Sequence, residues 1–365
     1  MVKNVAIKTV YGEFNIGNKL QNYAVVVQLK KHNLNPTTIQ YIQLKFLKNT
    51  KGKIKENIKS LIYKVPINIS VVKKVKIGIE RISIFKEFSR KYLNISEVYN
   101  ENNLNESYIN SFDMIVIGSD QVWNDNDMSK KDLEYFLGIS DTKPIISLSA
   151  SFGIEKIKKD NNDIFKQGLS KMSNISVRET SGQKIINDLI SINSELLVDP
   201  TMLVSKDEWN EISKAPDWYN SNSKYILCYF LGGISKYKDK IVEYANLNKL
   251  EVIDILDKKS IYHKSGPEEF IYLVNNAQCI FTDSFHGCVF SIIFNKYFIC
   301  FERDNQVKSM NSRLTTLLSK FELENMMFND EIKINEYDFD KVNYLLYEEK
   351  EKASNYINEC LKNIN

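Results

Sequence analysis

The stretch Cys279-Ile280-Phe281-Thr282-Asp283-Ser284-Phe285-His286-Gly287-Cys288-Val289-Phe290 constrains the fold more than any other part of the chain. Its first four residues read as a strand of a parallel sheet, buried on both faces. A short polar turn follows, and an apolar helix opens near His286. Ser284 is the natural N-cap of that helix, because its hydroxyl can accept an orphan amide of the first turn. Such a turn offers free N–H groups and the positive end of a helix dipole, a seat for phosphate or carboxylate. His286 stands at that seat and can exchange a proton near neutral pH.

The same signature recurs along the chain. Apolar runs at 4–10, 37–42, 112–118, 145–150, 174–177 and 196–198 read as strands, most ending in glycine or small polar residues. A helix over 18–31 follows the first of them. Further strands are expected at 225–231, 251–256 and 297–301, and helices at 236–246, from Pro267 to about 274, and from Leu314, opened by Asn311-Ser312-Arg313. Strands alternating with helices imply parallel α/β sheets, whose ligands gather at the carboxyl ends of the strands. Ser119, Asp120, Gln121, Trp123 and Asn124 follow one strand and are expected to face a cleft. The Gly232-Gly233 turn follows another and can bring backbone amides close to an anion. The first strand–loop–helix contains Gly12 and Gly17 without Gly-x-Gly-x-x-Gly, so it reads as a ligand-facing loop and not a dinucleotide site.

At 365 residues the chain exceeds one ordinary core. We expect a first lobe over 1–201, a connection over 202–223 containing Pro216 and a polar run, and a second lobe over 224–334. The segment 335–365 has helical apolar spacing and is expected to pack back on the first lobe. Five cysteines, an odd count without Cys-x-x-Cys, lie mostly in apolar runs and read as buried reduced thiols, with no metal site. No apolar run approaches the roughly 18 residues of a membrane span, and the first strand begins at once, so a cytoplasmic protein is expected.

The net charge of +3 conceals an asymmetry. Residues 45–91 hold 14 Lys and Arg against 3 Asp and Glu, which leaves the remainder of the chain acidic. A solvated face is the plain reading. Isoleucines and valines interleave with these charges at helical spacing, as in helices lying on anionic membranes. No nucleic-acid module accompanies the basic run, so nucleic acid is not an expected partner.

Eight blocks in order resemble the polysaccharide pyruvyl transferase family. They are Gly17-Asn18-Lys19-Leu20-Gln21-Asn22-Tyr23-Ala24, Gly118-Ser119-Asp120-Gln121-Val122-Trp123-Asn124, Ser147-Leu148-Ser149-Ala150-Ser151-Phe152-Gly153, Ser176-Val177-Arg178-Glu179, Asp199-Pro200-Thr201, Gly266-Pro267-Glu268-Glu269-Phe270, Thr282 through Gly287, and Asn311-Ser312-Arg313. The resemblance implies two Rossmann-like lobes facing across a cleft, the GT-B arrangement. It also implies transfer of the enolpyruvyl unit of phosphoenolpyruvate onto two sugar hydroxyls as a ketal. Phosphoenolpyruvate is then a co-substrate, no cofactor is needed, and the acceptor is a glycan of a surface polysaccharide or its lipid-linked precursor. A nucleotide-sugar glycosyltransferase and a non-catalytic glycan-binding member are the alternatives.

Such a reaction needs an acid for the methylene carbon, a base for the attacking hydroxyl and cations for the donor. His286 is the expected acid, and Asp120 the base or a ligand of sugar hydroxyls. Arg178 is the expected anion clamp and Arg313 the second, with Gly232, Gly233, Lys236 and Ser284 completing the donor side. Asn18, Gln121, Trp123 and Asn124 are expected on the acceptor side, with core packing the alternative to a sugar-stacking role for Trp123. Many members of the family carry arginine two residues before the motif histidine. This chain has Ser284 there, and Lys236 is the expected substitute.

Overall fold

The structure, a computed structural model, describes residues 2–12, 14–44, 69–220, 223–303 and 311–362. The first lobe is built from β1 (Lys3–Lys8), α1 (Ile16–Lys31), β2 (Leu34–Tyr41), α2 (Ile69–Tyr92), β3 (Ile95–Tyr99), β4 (Met114–Ile117), β5 (Ile145–Ser147), β6 (Ser176–Val177), α3 (Thr180–Ile190) and β7 (Glu195–Leu196). Five strands form a parallel sheet in the order β3-β2-β1-β4-β5. The parallel pair β6-β7 continues it through single bridges, Ile146 to Asn174 and Ala150 to Val177. Strand order reverses between β1 and β4, so a crevice opens beyond their carboxyl ends.

The second lobe contains β8 (Tyr225–Tyr229), β9 (Glu251–Asp254), α4 (Pro267–Asn276), β10 (Cys279–Thr282), α5 (Phe285–Ile293), β11 (Phe298–Cys300), α6 (Asn311–Lys320) and α7 (Phe339–Lys362). Its sheet is also parallel, ordered β11-β10-β8-β9, with its reversal between β8 and β10. Both faces of these strands are covered, which is why they read as unbroken apolar runs. Every residue of α5 is buried. Proline in the first turn of α4 and the Glu269 carboxylate accepting from Gly266 N (2.9 Å) fix where that helix starts.

Two segments differ from their sequence reading. The connection over 202–223 begins as core: Trp209 is fully buried, donates from Nε1 to the Thr201 carbonyl (3.1 Å), and packs edge-on to Phe290 at 5.0 Å. An aromatic anchor outweighed the loop-like composition further along. In the basic stretch, residues 45–68 lie outside the described residues. Its C-terminal half, α2, buries Ile77, Phe85 and Phe88, and Arg81 donates to the carbonyls of His263 (2.8 Å) and Ser265 (2.5 Å) in the second lobe. That face of the helix is therefore occupied by protein, whereas Ile79 stands 61% exposed on another side.

The last helix does return to the first lobe. Tyr356 donates to the Ser147 carbonyl at 2.8 Å, and Lys352 to that of Leu196 at 3.0 Å. All five cysteines are buried and unbridged. Among the described residues no helix is long and apolar enough to cross a membrane.

Candidate functional site

The two sheet reversals deliver their loops to one place. From the second lobe comes the turn between β10 and α5. Ser284 caps α5, its Oγ accepting from Gly287 N at 3.5 Å, and its own amide donates to Thr282 Oγ1 (3.0 Å). His286, in the first turn, leans on the first lobe. A Cβ added to Gly17, in the first turn of α1, would lie 2.2 Å from His286 Nδ1. Glycine is required there because the helix backbone itself forms the wall of the imidazole's seat. Gly17→Ala should therefore push the ring out of place. Loss of about 10²-fold in turnover is expected, as for an ångström-scale misplacement of a catalytic group. Unchanged turnover in the folded variant would detach His286 from the chemistry.

His286 is buried, 7% exposed, among charged rather than apolar groups. Its Nε2 lies 3.8 Å from Asp199 Oδ2 and has no hydrogen-bond partner among the described residues. Burial pushes its pKa below the ordinary value, and Arg178 and Arg313 push the same way, against Asp199 and Asp120. An imidazole whose proton affinity is lowered by burial, with one nitrogen unsatisfied, gains proton affinity when an anion enters.

Asp199 is the buried centre of the first lobe's side. Its Oδ2 accepts from Arg178 Nη1 (2.5 Å) and Ser119 Oγ (3.0 Å), and its Oδ1 from the amide and hydroxyl of Thr201 (3.0 and 2.7 Å). Burial alone would raise its pKa; Arg178 above all, then His286 and Thr201, bring it down to about 2. Arg178 sits at the end of β6 and is held charged by Asp199 and Asp120, which outweigh burial. Its Nη2 reaches Asp120 Oδ1 at 3.4 Å, and its guanidinium carbon lies 4.2 Å from the centroid of the Phe285 ring. Glu179 does not pair with it. That carboxylate instead accepts from the amides of Phe152 (2.7 Å) and Gly153 (3.2 Å).

Asp120 follows β4 in the left-handed region, φ 70°, a conformation that non-glycine residues hold only where the surroundings impose it. Asn18 donates from its amide to Asp120 Oδ2, and the Gln121 amide to Oδ1 at 2.9 Å. Arg313, on α6, is buried on the far side of Phe285, 5.9 Å from its ring. The Gln121 side-chain oxygen accepts from it, 2.7 Å from Nη2 and 2.8 Å from Nη1. Burial and then the nearby Arg178 lower its pKa to about 10. Among the described residues it has no ion-pair carboxylate, so it is the cation most in need of a ligand.

His286, Asp120, Arg178, Arg313, Ser284, Asn18 and Gln121 thus converge. Asn124 stands one step back, its Oδ1 accepting from Asn126 N (3.1 Å) as a turn cap. Three expectations need correction. Trp123 is fully buried against Phe152 and donates to the Phe136 carbonyl (3.1 Å), so it has no face left for a sugar. The Gly232 amide is not open to a ligand: with that of Leu231 it donates to the Asp283 carboxylate, at 2.7 and 2.6 Å. Gly233 and Lys236 are exposed, the lysine ammonium lying over Tyr237 at 5.1 Å, so neither belongs to the buried cluster around His286. Sequence reasoning passed over Asp199 and Phe285, although both stand in the quoted blocks, and missed Arg303.

Two parallel Rossmann-like lobes whose reversal points meet across a cleft define a GT-B-like protein. The crystal structure of UDP-GlcNAc 2-epimerase from Neisseria meningitidis bound to UDP-GlcNAc is similar, with TM-score 0.54 and 10% identity, covering 99% of this chain and 100% of that one. So is the UDP-N-acetylglucosamine 2-epimerase from Rickettsia bellii, at 0.52 and 10%, covering 100% and 97%. These likenesses concern the fold alone. No curated protein sequence matches the chain. The polysaccharide pyruvyl transferase family does match, over residues 15–305, and the chain belongs to it.

Proposed function

We propose that this member of the family moves the enolpyruvyl unit of phosphoenolpyruvate onto two hydroxyls of a glycan, forming a ketal and releasing phosphate. One observation carries the reading: the buried guanidinium of Arg313, without a carboxylate among the described residues, beside a buried His286 with an unsatisfied Nε2. A polyanionic donor satisfies both groups at once, and its charge raises the proton affinity of His286 as it binds. Protonated His286 then gives its proton to the methylene carbon, and the adjacent carbon becomes oxocarbenium-like. A sugar hydroxyl adds there and yields its proton to Asp120 or back to His286. The C–O bond to phosphate breaks, and the second hydroxyl closes the ketal. Of the two hydroxyl protons one replaces that taken by the new methyl group, and the other leaves with phosphate.

The acceptor, in this reading, is a sugar of a surface polysaccharide or its lipid-linked precursor, approaching from the side of Asn18, Asp120 and Gln121. Phosphate release that needs both phosphoenolpyruvate and a glycan acceptor tests the reaction. Release of a nucleoside diphosphate from a nucleotide sugar, without phosphoenolpyruvate, would replace it by glycosyl transfer.

A lipid-linked acceptor would make the basic stretch a docking element at the inner membrane face. Binding to anionic vesicles should then fall steeply with salt. Each basic residue near the surface contributes about 1 kcal/mol, so replacing Lys73, Lys74 and Lys76 with glutamine should release much of the protein. Flotation indifferent to salt and to these changes would leave a solvated face.

A further inference from the structure

The turn that carries His286 has no cation of its own: Ser284 is buried there as the cap of α5. The cation nearest that turn arrives from the next strand. Arg303 follows β11, and its Nη2 donates to the Asp283 carbonyl at 3.3 Å while its Nε lies 3.4 Å from Asp283 Oδ2. The same carboxylate spans the reversal point of the second lobe by accepting the Leu231 and Gly232 amides, at 2.6 and 2.7 Å. Asp283 thus ties three loops together and aims one guanidinium. Tyr237 fixes the approach, its hydroxyl donating to the Glu302 carbonyl at 3.0 Å.

Gly232 is shaped to this arrangement. A Cβ there would lie 2.6 Å from Arg303 Cγ and 2.9 Å from Asp283 Oδ2. The glycine leaves the path along which the arginine side chain runs, rather than amides for a ligand. Arg303 and Arg313 approach the same turn, the first at the Asp283 carbonyl (3.3 Å) and the second 5.9 Å from the Phe285 ring centroid. Arg178 is matched by Asp199 at 2.5 Å, and the Asp283 carboxylate divides its charge between Arg303 and two amides. Two guanidinia that approach one turn in this way suit a phosphoryl dianion, whose oxygens can accept from both.

We infer that Arg303, aimed by Asp283 and given room by Gly232, joins Arg313 as a clamp for the phosphoryl group of the donor on the second-lobe side of His286. This deepens the donor assignment above and rests on it for the identity of the donor, while the clamp itself asks only for a phosphoryl group. Arg303 is a donor-specificity residue and Asp283 a positioning residue.

The test is calorimetric titration of the full chain with phosphoenolpyruvate, inorganic phosphate and a UDP-sugar, alongside steady-state kinetics. Arg303→Gln should weaken phosphoenolpyruvate and phosphate binding by about 10- to 100-fold, as for the loss of one charge-assisted contact. Acceptor KM should stay within error of the wild type, and Tm should fall only modestly, because the Leu231 and Gly232 amides still serve the Asp283 carboxylate. Arg303→Lys should recover part of the affinity, and Gly232→Ala, which crowds the arginine and not the ligand, should copy the glutamine variant. Binding of phosphoenolpyruvate and phosphate by Arg303→Gln within twofold of wild type overturns the inference. So does a parallel loss of Tm and acceptor KM, which marks a purely structural pair. If the wild type binds only the UDP-sugar, the proposed donor is wrong, and the clamp survives only if Arg303→Gln loses that binding. A wild type that binds no phosphate-bearing ligand removes both.

Discussion

Replacing His286 by alanine is expected to lower turnover by about 10²–10⁴-fold while leaving donor affinity nearly intact, the pattern for loss of acid catalysis. The ring, in the first turn of α5, lies against the first turn of α1 and 3.8 Å from Asp199. Its pH signature should follow from its surroundings. In the free enzyme, burial and the two arginines hold its pKa below the ordinary value. kcat/KM, which reports the free enzyme, should therefore fall as pH rises through a value under about 6.5. In the donor complex the added negative charge favours the protonated ring, so the same limb of kcat should lie at higher pH. The measurement is phosphate release across pH, with donor affinity determined separately. Wild-type turnover in a folded His286→Ala protein ends the mechanism, as does a kcat limb lying below that of kcat/KM.

How much of this was legible in the sequence depends on which interactions are local. The strands buried on both faces announced themselves as short apolar runs, and Cys279–Thr282 fell at its expected bounds. The Ser284 cap and the helix behind it were legible for the same reason, since capping is settled within four residues. β3 was not legible. It is an edge strand with only Tyr99 buried, and its half-exposed pattern merges into the basic stretch before it. The arginines of the candidate site divide in the same way. Arg178 and Arg313 lie in blocks whose resemblance marked them. Arg303 carries no local signal, because its meaning comes from Asp283, 20 residues earlier in the chain and joined to it only by the pairing of β10 with β11. Trp123 was misread from a true observation. It does follow a cleft-facing strand, but whether an indole turns out to a ligand or into the core depends on space left by Phe152 and Phe136, which no spacing reveals.

Arg178 changes meaning most between sequence and structure, and its substitution should have the largest effect on stability. From sequence alone, Arg178→Ala is a donor-binding variant. In the folded protein its guanidinium neutralises Asp199, a fully buried carboxylate, at 2.5 Å. Removing one partner of a buried pair leaves the other charge uncompensated, at a cost of about 3–5 kcal/mol. Arg178→Ala should therefore melt well below the wild type before any effect on donor affinity is measured. Arg178→Lys should be intermediate, because an ammonium cannot serve Asp199 and Asp120 together with a fork. The second change Asp199→Asn should restore much of the stability by removing the orphaned charge, yet not the activity. Acid sensitivity follows from the same pair. The folded pKa of Asp199, about 2, lies below its unfolded value, so its contribution is complete above that unfolded value and is lost as pH falls toward 2. In Arg178→Ala this acid limb should vanish or reverse, because the carboxylate now gains by being protonated. Denaturant melts of the single and double variants between pH 2 and 7 decide the matter. If Arg178→Ala is as stable as the wild type and loses only donor affinity, the guanidinium belongs to the ligand and the buried pair contributes nothing to the fold.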